Sequence, residues 1–222
     1  MKELTLVIPA KSEAECLPTV LNELKNFDCK KIVIIPKNDL DTLKAIKNFD
    51  CKIITQINDG FGNALIQGIK EVETDFLCIF NADGSFDPKY LKNMSDELSK
   101  NGDFIFNSRY ENSGGSDDDT FLTYIGNRLF TFICNLLFRL DISDVLFTYV
   151  MGKTLAFKSL ELKRNDFRFC IELPVSAKLK KYKLISRPSY ERSRLAGKKK
   201  VNEFTDGLLI LISILTMFIF RK

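Results

Sequence analysis

The chain has 222 residues, 45% hydrophobic and 28% charged, with a formal net charge of +4, which is enough for one α/β domain with an elaboration but not for two. It contains no histidine; this excludes Ser-His and Cys-His nucleophilic catalysis, histidine metal ligation and a histidine general base, leaving carboxylates, lysine, arginine and a divalent metal as the working groups. The six cysteines form no CxxC pair and sit mostly in apolar runs, so they read as reduced core residues of a cytosolic protein rather than a disulfide framework or a zinc site.

Leu4 to Ile8 is a short apolar run closed by Pro9; it predicts a buried first strand, with no signal peptide ahead of it. Ser12 and Glu15 have the spacing of a capping box before a helix carrying Leu17, Val20, Leu21 and Leu24. Lys31 to Ile35 predicts a second strand, Asp39 to Phe49 a helix and Lys52 to Ile57 a third strand. This alternation implies a mostly parallel, doubly wound sheet with right-handed crossovers. NDGFGN, residues 58–63, leads into a helix from Ala64 to about Val72. Gly60 and Gly62 would let a phosphate approach the backbone at that helix N-terminus, although the same spacing serves an ordinary βα turn.

Phe76 to Phe80 is apolar throughout and too short for a helix, which predicts a buried parallel strand. It ends in NADGSFDP, where Asn81, Asp83 and Ser85 alternate with the small Ala82 and Gly84. Their oxygens can converge just past a strand's carboxyl end, where open α/β sheets bind ligands. A hard divalent cation bridging phosphates needs only one or two carboxylates from the protein. An Asx-rich turn without a ligand is the alternative.

Pro88 to Lys100 predicts a helix and Asp103 to Asn107 a strand leading to Ser108, Arg109 and Tyr110. Glu111 to Thr120, polar, acidic and Gly-rich, predicts a mobile loop beside the site. Phe121 to Leu140 is strongly apolar, with Arg128, Asn135 and Arg139 on one helical face; it reads either as a core helix or as an interfacial helix that embeds its apolar side in lipid and snorkels its arginines. Asp144 to Phe157 predicts a turn and then a strand, Phe167 to Lys180 a helix carrying Glu172, and Lys183 to Pro188 a last strand. Arg192, Arg194, Lys198, Lys199 and Lys200 form a basic run suited to an anionic partner or simply to solvent. Gly207 to Phe220 is apolar but shorter than the roughly 20 residues of a spanning helix. It predicts a membrane-surface, re-entrant or marginally spanning helix, with a core helix as the alternative.

Taken in order, these stretches resemble the family 2 glycosyltransferases, most closely their dolichyl-phosphate mannose synthase-like, polyprenyl-phosphate branch. IPAKSEAECLP resembles the family's IPAYNEAENLP, NDGFGNALIQG its N-x-G-x-G-x-A-x-x-x-G segment, FNADGSFDP its DADGQHDP, NSRY its GSRY, GNRLFTFICNLLF its GNRFLTFLLNLLF, and RLAGKKKV its R-x-x-G-x-S-K-L motif. The resemblance implies a GT-A, nucleotide-diphospho-sugar transferase fold over residues 1–200, with a membrane-associating segment at 201–222. It implies an inverting transfer of a hexose from a GDP- or UDP-sugar to a polyprenyl phosphate at the cytoplasmic face of the membrane, with Mg²⁺ or Mn²⁺ as cofactor. Asp83 would be the principal metal ligand with Asn81 and Ser85 beside it, and Pro9, Ala10 and Glu13 would line the nucleotide pocket. Arg109, Arg128 and Arg194 match positions that hold phosphates, for which guanidinium forks are well shaped. Glu172 would orient the donor sugar or an arginine, or form a structural ion pair. A lipid phosphate is already anionic at neutral pH, so this chemistry needs positive charge rather than a strong base.

The sequence departs from the family pattern in three places. Pro36 and Lys37 stand where DDGS is usual, leaving Asp39 or Asp41 as substitutes; Asn81 replaces the first metal-turn aspartate; and Thr148 replaces a glycine in DVLFTY. These departures keep two alternatives open: a glycosyltransferase using a glycan or other hydroxyl acceptor, and a non-catalytic relative that binds nucleotide sugars. A hydroxyl acceptor would make Asp144 or Glu172 the expected base.

Overall fold

The computed structural model describes residues 3–197 and 202–220; Lys198, Lys199 and Lys200 of the basic run lie outside them. The elements are β1 (Leu4–Pro9), α1 (Leu17–Glu23), β2 (Lys30–Pro36), α2 (Leu40–Ile46), β3 (Lys52–Gln56), α3 (Phe61–Lys70), β4 (Phe76–Ile79), α4 (Tyr90–Asn101) and β5 (Phe104–Ser108). They continue with β6 (Gly115–Ser116), α5 (Phe121–Phe138), β7 (Val150–Lys153), α6 (Thr154–Ser159), α7 (Phe169–Leu179), β8 (Leu184–Pro188), β9 (Tyr190–Glu191) and α8 (Glu203–Ile219).

Seven strands form one sheet in the order β3-β2-β1-β4-β7-β5-β8. All neighbours are parallel except β7, which runs antiparallel between β4 and β5. The strands are apolar because both faces are covered, as parallel sheets require. Along β1, Leu4, Leu6 and Ile8 pack with Leu17, Leu21 and Leu91 on one face, while Val7 joins Leu65 and Ile69 of α3 on the other. Strand order reverses between β1 and β4, so the loops following these two strands diverge and leave a crevice at their carboxyl ends. The turn that follows β4 opens into it.

Several expected local features take a different form. The Ser12–Glu15 capping box does not form: α1 starts after Cys16 with a proline in its first turn, a position where proline's missing N–H costs nothing. Ser12 instead adopts a left-handed φ of 53° and donates its amide to the Asp39 carboxylate. Residues 154–157, expected as strand, begin α6. The acidic segment 111–120 is tied down rather than free: β6 within it pairs with β9 in a separate two-stranded ribbon.

α5 is capped by Thr120, whose hydroxyl accepts from the Thr123 amide, and is long and apolar enough to cross a membrane by length and composition. It is not a core helix along its whole length: only Thr131, Cys134 and Phe138 are buried, and Phe132 and Leu136 are 63% and 67% exposed. Asn135 serves the helix end, donating its amide to Ile142 O at 2.8 Å. α8 packs beside α5, with Phe218 edge-on to Phe138. Ile210 and Ile214 are buried, whereas Phe204 and Phe220 are more than three-quarters exposed, at 79% and 76%.

Candidate active site

A cleft of about 800 Å³ opens at the carboxyl ends of β1 and β4. Pro9, Ala10 and Glu13 line it from the loop after β1, and Asn81, Asp83 and Ser85 from the turn after β4. Gly60 at the start of α3, Arg109 and Arg194 also line it. Most of the residues singled out in the sequence therefore converge, although they lie up to the full length of the fold apart in the chain.

In the turn after β4, Asp83 Oδ1 accepts the Ser85 amide at 3.0 Å, and Asp83 Oδ2 lies 3.7 Å from Arg194 Nη1. Asn81 donates its side-chain amide to Ser85 Oγ at 3.2 Å, which leaves the Asn81 carbonyl oxygen as its acceptor. Ser85 is almost wholly buried, so it braces Asn81 as much as it faces the cleft. One carboxylate and two neutral oxygens are hard donors suited to Mg²⁺ or Mn²⁺ when substrate phosphates and water supply the remaining positions. The cleft's charge fits as well. Glu13, Asp59, Asp83, Asp118, Asp119, Asp166, Glu191 and Asp206 outnumber Lys11, Arg109 and Arg194 in its lining, and a diphosphate bound there needs additional positive charge. Among the described residues there is no cluster of three or more carboxylate or cysteine ligands that would hold a metal independently of substrate.

Arg109 occupies a different position from the one expected of a phosphate ligand. Its Nε and Nη2 grip Asp144 at 2.7 and 3.0 Å, and its Nη1 lies 3.4 Å from Asp119 and 3.3 Å from Glu191. The Asp144 side chain is fully buried. Burial disfavours the guanidinium charge, but Asp144 and Glu191 outweigh it and hold the Arg109 pKa well above its ordinary value. Tyr110 donates to Asp119 at 2.6 Å and accepts from Asn127, closing a network with no cation to spare. Glu191 also accepts from Ser116 at 2.6 Å; burial raises its pKa, against the pull of Arg109.

Four other expectations are corrected. Asp39 is absent from the cleft lining, because its carboxylate caps α2 through the Thr42 amide and holds the Ser12 amide. Glu172 points its carboxylate at the Lys163 and Arg164 amides, 2.9 and 2.8 Å away, and so fixes a loop rather than a sugar. That loop explains the glycines. A Cβ on Gly60 would stand 2.1 Å from Asn165 O, and one on Gly62 2.0 Å from Arg164 O. The close approach they permit is to the protein's own backbone, confirmed by the Asn63 amide donating to Asn165 O at 3.1 Å. Arg128 is exposed on α5, outside the cleft lining, with its guanidinium 5.8 Å from the Tyr110 ring.

Sequence reasoning missed Asp119, Tyr110 and Asn127, which pair with one another across the loop before α5, and Glu191, whose partners Arg109 and Ser116 are distant in the chain. It singled out Arg192 and Arg194 but not the course of their segment, which crosses the turn after β4: Glu191 bridges Phe86 in antiparallel fashion, and Leu195 covers Gly84. The signals available were the two arginines of the basic run and the RLAGKKKV resemblance.

The sequence profile described as Glycosyl transferase family 2 matches residues 5–160. Relatives described as uncharacterized glycosyltransferases of Mycobacterium bovis and Mycobacterium tuberculosis are 23% identical over 208 residues, spanning 94% of each chain. Among solved structures, glucosyl-3-phosphoglycerate synthase of Mycobacterium tuberculosis, in complex with Mn²⁺, UDP and glucosyl-3-phosphoglycerate, superposes with a TM-score of 0.76 at 11% identity, covering 97% of this chain and 79% of that one. The same enzyme with Mg²⁺ and UDP gives a TM-score of 0.75 at 13% identity, over 97% and 79% of the two chains. This likeness concerns the fold. With a cleft at the switch point of its sheet and a profile match over most of its length, the chain belongs to glycosyl transferase family 2 and is a glycosyltransferase of GT-A fold.

Proposed function

We propose that this glycosyltransferase moves a hexose from a GDP- or UDP-sugar to a polyprenyl phosphate at the cytoplasmic face of a membrane. The observation that carries this reading is the composition of one cleft wall. Thr123 and Asn127 of α5 and Asp206 and Ile210 of α8 line the cleft, and these two helices carry much of the exposed apolar surface, including Phe121, Phe132, Leu136 and Phe204. An acceptor whose phosphate reaches the cleft while its chain stays in lipid needs that adjacency.

Asp83 and Asn81, with Ser85 behind them, are the residues that would hold Mn²⁺ or Mg²⁺, the ions found with UDP in the structurally similar synthase. When bound, such an ion neutralises the leaving diphosphate. Arg194, held between Glu13 and Asp83 at 3.4 and 3.7 Å, supplies a fixed positive charge at the same place. Arg128 stands exposed on the apolar helix, next in sequence to the cleft-lining Asn127, where a guanidinium can meet a lipid phosphate while its stem lies along the helix. The phosphate nucleophile is anionic before it binds, so no side chain has to take its proton.

The assay is transfer from radiolabelled UDP- and GDP-sugars to undecaprenyl phosphate in the presence of Mn²⁺. Label should enter the organic phase with one donor; its absence for every donor, beside an active control enzyme, would overturn the reading.

A hydroxyl acceptor is the second reading, favoured by Glu191, a buried carboxylate in the cleft lining with a raised pKa. Asp144 and Glu172 cannot serve as the base, because both oxygens of each are engaged. In that case Glu191→Gln should abolish transfer, whereas with a phosphate acceptor the same change leaves most of the activity.

A further inference from the structure

The segment after β8 caps the turn after β4 one carbonyl at a time. The Leu195 amide donates to Asp83 O at 2.9 Å and the Arg192 amide to Ser85 O at 2.9 Å. Between and beyond them, Arg192 Nε donates to Gly84 O at 3.0 Å and Arg192 Nη2 to Phe86 O at 3.0 Å. Four consecutive carbonyls are thus held from one side. The guanidinium is anchored in turn by Glu23 of α1, 2.9 Å from Nη2.

We infer that Arg192 is a positioning residue for the donor site: its guanidinium holds the Gly84 and Phe86 carbonyls, and with them the Ser85 amide that fixes where the Asp83 carboxylate points. The inference rests on the donor-site reading of Asp83 but not on the identity of the acceptor. Gly84 has a φ of +85°, in a region other residues rarely adopt, and it is the turn's freest joint. Without a partner for Gly84 O, a flip of the Gly84–Ser85 peptide would turn the Ser85 amide away from Asp83 Oδ1, the hydrogen bond that sets the direction of that carboxylate. Arg192 also couples two sites. Arg194 lies on the same hydrogen-bonded segment, so the carboxylate that would hold a cation and the guanidinium that would face a diphosphate keep a fixed separation. A lysine at 192 would retain the charge opposite Glu23 but could not reach two carbonyls and a carboxylate together, because it lacks the planar fork.

The test is Mn²⁺ binding followed by electron paramagnetic resonance, with UDP or GDP present, on wild type, Arg192→Ala, Arg192→Lys and Glu23→Gln, with the thermal midpoint of each recorded. Loss of a group that orients a ligand typically weakens metal affinity about 10–100-fold. Arg192→Ala and Arg192→Lys should both fall in that range while remaining folded, and Glu23→Gln should show a smaller loss. Wild-type affinity in Arg192→Lys would overturn the inference by showing that charge alone suffices; so would wild-type affinity in Arg192→Ala. If Arg192→Ala does not fold, Arg192→Lys and Glu23→Gln decide the matter by the same criterion. Failure of the wild type itself to bind Mn²⁺ with either nucleotide would instead overturn the donor-site reading, and the inference with it.

Discussion

The two walls of the cleft are held by different forces. The donor wall, as proposed, consists of strand ends and turns braced from behind by polar pairs: Asp39 with Ser12, Glu172 with the 163–164 amides, and Arg192 with the turn after β4. The acceptor wall, as proposed, consists of α5 and α8, which meet through ring and aliphatic contacts such as Phe138 with Phe218 and leave wide apolar faces uncovered. A polar wall of this kind fixes atoms to within hydrogen-bond tolerances, which is what a diphosphate and a cation require. An apolar wall fixes only an environment, which suits an acceptor recognised by its chain. The contrast also separates two arginines that looked alike in the sequence: Arg109 is bound into a buried ion-pair network, whereas Arg194 lies beside Glu13 and Asp83, where the proposed donor site needs a cation.

The largest expected effect falls on the donor wall. Asp83→Ala should lower transfer about 10³-fold or more with little change in thermal midpoint, since its side chain is partly exposed and braces only one amide. Arg109→Ala should behave in the opposite way. Removing it leaves the fully buried Asp144 without its cation, and breaking a buried pair costs about 3–5 kcal/mol, readable as a shift in urea denaturation. If Arg109→Ala proved stable and inactive, the division between scaffold and chemistry would fail. On the acceptor wall, Phe132→Asp combined with Leu136→Asp should weaken partition onto phospholipid vesicles at least about tenfold, while leaving the denaturation midpoint unchanged because both side chains are mostly exposed. The smallest effect concerns Asp166, at the donor end of the cleft. Its hydrogen bonds to the Arg168 side chain hold its pKa below the usual carboxylate value. A depressed pKa adds stability that is present above the unfolded-state value and lost as pH falls through the folded one. Asp166→Asn should remove that acid limb, by less than about 1 kcal/mol for so exposed a pair, in denaturation midpoints followed from pH 7 to pH 3.

The donor wall was largely legible in the sequence, and the acceptor wall only in outline. Phe76–Ile79 is wholly buried as its apolar run predicted, and the turn after it opens where the alternation of strands and helices said it would. Short-range spacing picked out Asn81, Asp83 and Ser85, and the family resemblance Glu13; all four line the cleft. Gly60 and Gly62 were rightly picked out as sites of close approach, but spacing cannot say what approaches, and here it is the 164–165 backbone. The partners of Arg109 were illegible, since Glu191 lies far along the chain and no local pattern links the two. Arg192 was hidden in a basic run whose plainest reading is solvent. Residues 154–157 were misassigned because a short apolar stretch carries no period that distinguishes strand from helix.

The central claim is that the turn after β4 is a working donor site whose carboxylate acts through a divalent cation. Calorimetric titration of the wild type and Asp83→Ala with UDP- and GDP-sugars, with and without Mn²⁺, tests it most directly. Binding of one donor to the wild type only when Mn²⁺ is present, abolished in Asp83→Ala, is the predicted result. Donor binding that is indifferent to Mn²⁺ and survives Asp83→Ala would contradict it.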